Sequence, residues 1–277
     1  MGRKVKVASV LSGVFICMAA IGKVMYDTNV FKRKEKHITH KKIPENSRLR
    51  MLQLSDLHNK VFGRSNKKLL QTIEEAEADM VVITGDLVDR NTRQWTQVFS
   101  LIERIVSVYQ HVFYVTGNHE WDHPLTHPFL EGLKERRVTV LRNEHTALQI
   151  NDSLSINVVG IDDVNSNREK VGQAFDGVDE QLYTILLSHS PDFVNEYKDQ
   201  PADLILSGHT HGGKVKIPFV GSLVAPGQGL LPEYDHGMYR IGYNQLLYVD
   251  RGLGTSVVHV RFFNQSQISL IEVTHRD

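Results

Sequence analysis

From residue 47 onward, the chain alternates short apolar runs with amphipathic stretches of helical period. The run "MVVITGD" at residues 80–86 is typical of a buried strand that stops at a glycine. The stretches at residues 65–78 and 92–109 each place apolar side chains on one face of a helix. Because strand and helix patterns follow one another in turn, the sequence predicts an α/β domain.

The predicted strands end alike, at small residues followed by side chains that bind metals well. In an open α/β sheet, ligands bind at the carboxyl ends of the strands, so we expect these side chains to converge. They are Asp56 and His58, Asp86, Asn118 and His119, His189, and His209 and His211.

Two of these motifs, "DLH" and "HTH", contain ligand types two residues apart. Residues two apart in an extended segment point to the same side, which would pair Asp56 with His58 and His209 with His211. Each motif alone is common, since an aspartate after a strand often only closes a turn. Five such motifs in series, each closing a predicted strand, favour a metal site over a packing role.

Charge is distributed unevenly, although the formal net charge is zero. Residues 1–45 hold ten Lys and Arg against three Asp and Glu, so the rest of the chain is acidic. An acidic body argues against a nucleic-acid-binding domain. The single cysteine, Cys17, excludes a disulfide framework and a cysteine metal site within the chain.

The N-terminal segment, residues 1–24, contains an uncharged apolar run at residues 7–22 behind a basic start. This run can span a bilayer if Lys6 and Lys23 extend towards the head groups, and it equally fits a signal peptide. The sequence therefore predicts either a retained membrane anchor or a cleaved export signal.

The next segment, residues 25–46, is basic and is predicted to be a juxtamembrane tether, either solvated or resting on anionic head groups. Its positive charges would leave the body cytoplasmic. A short apolar run behind a basic start is also the usual form of an export signal. We expect a single-pass protein of the cell membrane, with the side of the body left open.

The complete motif series resembles that of the calcineurin-like metallophosphoesterases, and the flanking "ITGDLVD", "SGHTHGG" and "RGLGTS" resemble a bacterial membrane-associated subgroup of them. The family pattern is D-x-H, G-D-x-x-D, G-N-H-[DE], H and G-H-x-H. Here it comprises Asp56-Leu57-His58, Gly85-Asp86-Leu87-Val88-Asp89, Gly117-Asn118-His119-Glu120, His189 and Gly208-His209-Thr210-His211. The resemblance implies a four-layer α-β-β-α sandwich with two central mixed sheets in residues 47–277.

The resemblance also implies two divalent metal ions bridged by Asp86, whose two carboxylate oxygens can serve both. Mixed oxygen and nitrogen ligation suits Mn²⁺, Fe or Zn²⁺ rather than Mg²⁺ or Ca²⁺. The implied ligands are Asp56, His58, Asp86 and His211 for one ion, and Asp86, Asn118, His189 and His209 for the other.

The implied reaction uses a hydroxide held between the ions as nucleophile and His119 as the general acid. Asp89 would orient His119, and Arg90 would either contact the phosphate or be a surface charge beside a helix. Glu120 is expected to be either a local hydrogen-bond partner or a participant. The other histidines, at positions 37, 40, 111, 123, 127, 145, 236, 259 and 275, are expected on the surface or in the tether.

The predicted function is hydrolysis of a phosphoester or pyrophosphate bond in a membrane- or envelope-associated substrate, a class that includes lipid-linked phosphates. The alternatives are a dimetal hydrolase acting on another bond, and a non-catalytic scaffold that binds metal. No obligate protein partner is predicted. Five apolar residues either line a lipid groove or only pack: Phe62, Trp121, Phe219, Leu230 and Leu231.

Overall fold

The structure, a computed structural model, describes residues 2–213, 216–217, 221–222, 224–242, 245–257 and 259–276. Its helices are α1 (Gly2–Asn29), α2 (Lys67–Glu74), α3 (Thr96–Val108), α4 (Asn118–Trp121), α5 (Thr126–Glu135), α6 (Val171–Phe175) and α7 (Phe193–Tyr197), with a 3₁₀ turn at Val164–Ser166. The helices predicted at residues 65–78 and 92–109 correspond to α2 and α3, each shorter than its amphipathic pattern.

The first sheet is mixed and has the strand order β1-β16-β2-β3-β4-β5. The strand β16 pairs parallel with β1 and antiparallel with β2, while β2 to β5 run parallel. Its strands are β1 (Lys32–His40), β2 (Arg48–Leu54), β3 (Met80–Thr84), β4 (Val112–Val115), β5 (Thr139–Val140) and β16 (Gln267–His275).

The second sheet is also mixed, with the order β14-β15-β9-β8-β7-β6. Its strands are β6 (Glu144–Asn151), β7 (Leu154–Gly160), β8 (Tyr183–Leu187), β9 (Leu204–Ser207), β14 (Gly237–Ile241) and β15 (Gln245–Val249). Two short hairpins precede β14: β10 (Lys216–Ile217) with β11 (Gly221–Ser222), and β12 (Val224–Ala225) with β13 (Gly229–Leu230).

Three clusters of buried apolar side chains lie between the layers and hold them together. One lies between the two sheets and packs Met51 and Val82 of the first with Ile156 and Leu206 of the second. A second cluster joins the outer face of the first sheet to α2, α3 and α5, and a third joins the second sheet to α6 and α7. The arrangement confirms the predicted α-β-β-α sandwich.

The segment predicted to be a tether, residues 25–46, is part of the folded body. Strand β1 lies at the edge of the first sheet, and Phe31, Ile38 and Ile43 are buried in the core. The prediction of a solvated tether is therefore wrong for these residues. The strand sequence, KRKEKHITH, is as highly charged as a solvated tether would be. An edge strand tolerates such charged side chains, whereas a central strand excludes them.

Helix α1 extends beyond the predicted end of the apolar segment at residue 24. Its part Leu11–Asn29 is long and apolar enough to cross a bilayer, and a signal sequence would have the same properties. Side chains along it, including Phe15, Ile16 and Ile21, are more than 60% exposed, so they do not pack against the body.

Candidate metal and catalytic centre

The predicted site residues lie together where strands of both sheets end. Asp56 and His58 follow β2, Asp86 follows β3, and Asn118 and His119 stand at α4, directly after β4. From the second sheet, His189 follows β8, and His209 and His211 follow β9. All of these residues except Asn118 have less than a tenth of their surface exposed.

Five of these residues have left-handed backbone conformations: Asp56 (φ 51°), His58 (φ 49°), Asp86 (φ 53°), His209 (φ 67°) and His211 (φ 51°). The expectation that "DLH" and "HTH" are extended is therefore wrong, although the motifs do bring their side chains to the site. Each strand ends before its motif, and the chain then turns. Such conformations cost about 1–3 kcal/mol each and persist where the surrounding structure imposes them.

Glycines allow the loops to approach the carboxylates closely. A Cβ atom on Gly117 would overlap Asp86 Oδ1, and one on Gly208 would overlap Asp56 Oδ2. Both distances are far shorter than van der Waals contact. A residue with a Cβ atom at either position would therefore push the loops apart.

One group of ligand atoms comprises Asp56, His58 and His211. The Nε2 atoms of His58 and His211 are 3.2 Å apart, and His211 Nε2 is 3.7 Å from Asp56 Oδ1. One ion could contact all three side chains.

A second group comprises Asp86, His189 and His209. Asp86 Oδ2 is 3.3 Å from His189 Nε2, which is 3.2 Å from His209 Nδ1. Asp86 Oδ2 also lies 3.5 Å from His58 Nε2, so this carboxylate stands between the two groups. This position is compatible with the bridging role expected for Asp86.

The residues present fit divalent cations. Asn118 Oδ1 is buried without a hydrogen-bond partner among the described residues, and an amide oxygen in that state is a suitable ligand. Carboxylate, amide and imidazole side chains are all donors that hold divalent cations in proteins.

Protonation states differ among the predicted ligand histidines. Burial lowers the pKa of His189, but Asp86 outweighs burial and raises it well above its usual value, so a metal would have to displace a proton from this ring. Burial lowers the pKa of His58 and of His209 to about 3, so both rings are neutral at pH 7 and keep a lone pair. Burial alone would raise the pKa of Asp86, but His189 outweighs it and holds this pKa well below its usual value. The site therefore favours positive charge beside Asp86, which a divalent ion would also supply.

Two of the predicted ligand histidines, His189 and His209, are oriented by neighbours. His189 Nδ1 donates to the carbonyl of Thr84 at 2.7 Å, which leaves Nε2 facing Asp86. The amide of Asn165 contacts His209 Nε2 at 3.1 Å, which leaves Nδ1 facing His189. Asn165 belongs to a 3₁₀ turn 44 residues before His209 and to no motif, so no sequence signal indicated it.

The loop that follows β9 is attached to α1 through buried polar residues. The His211 carbonyl accepts hydrogen bonds from Arg261 at 3.2 Å and from Asn264 at 2.6 Å. The backbone N–H of Arg261 donates to Thr28, and that of Asn264 donates to Asp27. Through Asn264, two hydrogen bonds thus connect Asp27 at the end of α1 to His211, a predicted metal ligand.

Glu120 holds two site loops together. Its Oε2 accepts hydrogen bonds from the backbone N–H groups of Asp86 (2.9 Å) and Gly117 (2.8 Å), and its Oε1 accepts one from Val88 (3.1 Å). Of the two roles expected for Glu120, the structure shows the local hydrogen-bond partner.

We expect Glu120→Ala to lower the free energy of unfolding by about 3 kcal/mol or more, because three backbone donors lose their acceptor. Urea unfolding in the presence of a chelator measures this without a metal contribution. The control, Glu131→Ala, removes an exposed glutamate and should change stability by less than about 0.5 kcal/mol. Equal urea midpoints for the two variants would contradict the role assigned to Glu120.

His119 lies between Asp89 and Arg90 rather than inside either ligand group. Its Nδ1 is 3.2 Å from Asp89 Oδ2, and its Nε2 is 3.4 Å from an Arg90 guanidinium nitrogen. Burial lowers the pKa of His119, whereas Asp86 and Asp89 oppose this shift. Asp89 also forms, with His58 and His119, a third group of side chains able to hold a cation.

One of the remaining histidines, His123, differs from the expectation of surface residues, and another, His259, is exposed as expected. His123 is buried beside Trp95 and contacts the Thr92 carbonyl at 2.8 Å, so that expectation is wrong for it. His259 lines a cleft of about 450 Å³ together with His119, Arg90 and Asp89.

A second cleft, of about 550 Å³, opens beside Asn118 and His209. Trp121 lines it, with the Arg168 guanidinium 3.9 Å and the Arg142 guanidinium 4.8 Å from the ring centroid. The two clefts give access to the ligand groups from two sides, and each is lined by one arginine, Arg90 or Arg168.

Comparisons with known proteins agree with this geometry. A family model for the calcineurin-like phosphoesterases matches residues 49–213. The metallophosphoesterase YkuE of Bacillus subtilis is 31% identical over 80% of this chain and 77% of its own. The UDP-2,3-diacylglucosamine pyrophosphatase LpxG of Chlamydia muridarum is 27% identical over 80% of this chain and 83% of its own.

A solved structure, the 5'-nucleotidase precursor of Thermus thermophilus, superimposes with a TM-score of 0.52 over 83% of this chain. The two sequences are 11% identical, so the likeness concerns the fold alone. This chain spans about half of that structure, 55% of its length.

Proposed function

Because the chain belongs to the calcineurin-like phosphoesterase family, we propose that it hydrolyses a phosphoester or pyrophosphate bond, with hydroxide as nucleophile and His119 as general acid. The observation that carries the proposal is the position of Asp86 between two groups of ligand atoms, with the His119–Asp89 pair at their edge.

The two ions would be held by the four-residue sets that the family pattern implies. When bound, two divalent ions supply an activated water and polarise the phosphoryl oxygens. We propose Mn²⁺, Fe or Zn²⁺ for both positions from the donor types. The first set is Asp56, His58, Asp86 and His211, and the second is Asp86, Asn118, His189 and His209.

His119 would deliver a proton to the departing oxygen. Nδ1 accepts a hydrogen bond from the Arg90 backbone N–H and lies 3.2 Å from Asp89 Oδ2, to which a protonated ring would donate, with Nε2 turned towards the cleft. A phosphate dianion beside the ring would favour the protonated imidazole, which a general acid needs. The Arg90 guanidinium lies 3.4 Å from His119 Nε2, and we assign this side chain to phosphate binding.

The substrate class that we propose is a membrane-associated phosphoester or pyrophosphate with a lipid-linked group. Three observations support it: the apolar helix α1, the two clefts beside the ligand groups, and the activity named for LpxG. Leu230 and Leu231 are 78% and 69% exposed and are candidates for contact with a lipid-linked substrate, whereas Phe62 lines neither cleft of the metal centre and Trp121 packs between arginines. Phe219 lies outside the described residues.

We also propose that α1 anchors the protein in the cell membrane by a single pass. The phosphoesterase domain then begins near Asp27, where α1 joins the body, rather than at residue 47.

The test is hydrolysis by the full-length His119→Ala variant of two esters that differ in their leaving group. An alkoxide needs protonation and a nitrophenolate does not, so turnover should fall roughly 10²- to 10⁴-fold with the alkyl ester and less than about tenfold with the nitrophenyl ester. Both rates are measured beside the metal content. His127→Ala, which removes an exposed histidine, is the control and should leave all three quantities unchanged.

Two other results would contradict the role proposed for His119. An equal loss with both esters would exclude His119 as the general acid. A loss of bound metal in His119→Ala would assign the His58–Asp89–His119 group to a cation instead.

A further inference from the structure

A pocket of about 500 Å³ lies where α1 meets the body, and it shares no lining residue with the two clefts of the metal centre. We call it the basal pocket. Its apolar wall consists of Val30, Phe31 and Phe62, and the rings of Phe31 and Phe62 pack edge to face, 5.3 Å apart. An apolar wall of this kind suits hydrocarbon better than a polar metabolite.

The rim of the basal pocket is cationic. Arg64, Lys67 and Lys68 line it, and no acidic side chain does. Within the part of the chain that the structure describes, none of the three forms an ion pair, and all three are exposed. Three unpaired cations at one opening favour an anionic ligand.

A fourth cation nearby is already engaged and does not belong to the rim. The Lys60 ammonium donates to the Thr28 carbonyl and stands 4.8 Å from the centroid of the Phe62 ring. Lys60 therefore stabilises the junction between α1 and the body, whereas the rim cations are available to bind a ligand.

The basal pocket lies at the level where a bilayer would end. Asn29 ends α1 and lines the pocket together with the next two residues, Val30 and Phe31. One turn earlier, Met25 and Tyr26 are more than half exposed. An exposed tyrosine at the end of an apolar helix is typical of the interface between hydrocarbon and head groups.

We propose that the basal pocket binds one glycerophospholipid with an anionic head group. The phosphate would contact Arg64, Lys67 and Lys68, and the first part of an acyl chain would lie against Phe31 and Phe62. The proposal rests on the anchor role proposed for α1 and is independent of the reaction at the metal centre.

Native mass spectrometry of the full-length chain in a nonionic detergent tests this proposal. Phosphatidylglycerol and phosphatidylcholine with identical acyl chains are added separately, and the lipid retained per chain is counted. We expect one retained phosphatidylglycerol at a concentration about tenfold lower than phosphatidylcholine requires. The triple variant Arg64→Gln/Lys67→Gln/Lys68→Gln should lose this preference.

The matched control is Lys134→Gln/Arg137→Gln/Lys198→Gln, which removes three exposed cations that do not line the pocket and should keep the preference. Equal loss in both triple variants would overturn the site, because the effect would be one of overall charge. Displacement of the bound lipid by millimolar inorganic phosphate would show that the pocket binds anions in general. That result would overturn the assignment of a lipid ligand. Equal retention of the two lipids would also overturn it.

Hydrolysis of the nitrophenyl ester by the pocket variant should equal that of the unmodified chain. This readout separates the two proposals, since a failure of the phosphoesterase reaction would leave the lipid result unaffected.

Discussion

Replacing Asp86 by asparagine should lower metal-dependent hydrolysis by roughly 10³-fold or more, about 4 kcal/mol of transition-state stabilisation. Asp86 is the carboxylate that lies within 3.5 Å of a histidine from each ligand group. An amide oxygen carries no charge, and only one of its two terminal atoms can bind a cation. We therefore expect the variant to lose at least one of two bound ions.

The measurement is metal content together with nitrophenyl ester hydrolysis, after the metal is stripped and Mn²⁺, Zn²⁺ or Mg²⁺ is added back. Asp250→Asn is the matched control, because Asp250 is also buried but accepts hydrogen bonds from Gln267 and Ser269 and belongs to none of the ligand groups. Retention of two ions and of near-normal turnover in Asp86→Asn would refute a shared ligand.

Removing residues 1–44 should prevent the chain from folding stably, whereas removing residues 1–22 should not. The longer deletion takes away three buried side chains, Phe31, Ile38 and Ile43, and each contributes about 1.5–3 kcal/mol. That sum is comparable to the whole stability of many domains. It also removes Asp27 and Thr28, which hold the loop that contacts His211.

Urea unfolding and metal titration of chains 23–277 and 45–277 give the comparison. We expect a cooperative transition and two bound ions for the longer chain only. Cooperative unfolding of both chains at the same midpoint would show that β1 and the end of α1 are dispensable for stability.

The motif residues could be predicted from sequence because each follows an apolar run that stops abruptly, as "MVVITGD" does before Asp86. Parallel strands place their ends on one side of a sheet, so the convergence of Asp56 and Asp86 follows from the topology of the first sheet, whereas His189 comes from the second sheet. The exact backbone could not be predicted, since a left-handed aspartate looks the same in sequence as an extended one.

Supporting residues left no signal in the sequence. Asn165 and Arg261 are single polar residues outside any spacing pattern, and only the folded chain brings them to His209 and His211. Strand β1 is not predictable from the sequence for a different reason. The strand lies at a sheet edge and buries one apolar side chain, Ile38, in the core. A single apolar residue among lysines does not produce the alternating pattern that predicts a strand.

The strand order β1-β16-β2 has a consequence for the time course of folding during synthesis. The last strand of the chain inserts between the first two, so β1 has no neighbour until residues 267–275 have left the ribosome. At typical rates of elongation this delay is on the order of 10 s. Throughout that interval the lysine, arginine and glutamate side chains of β1, among them Lys32 and Arg33, keep an unpaired strand soluble and oppose its association with other nascent chains.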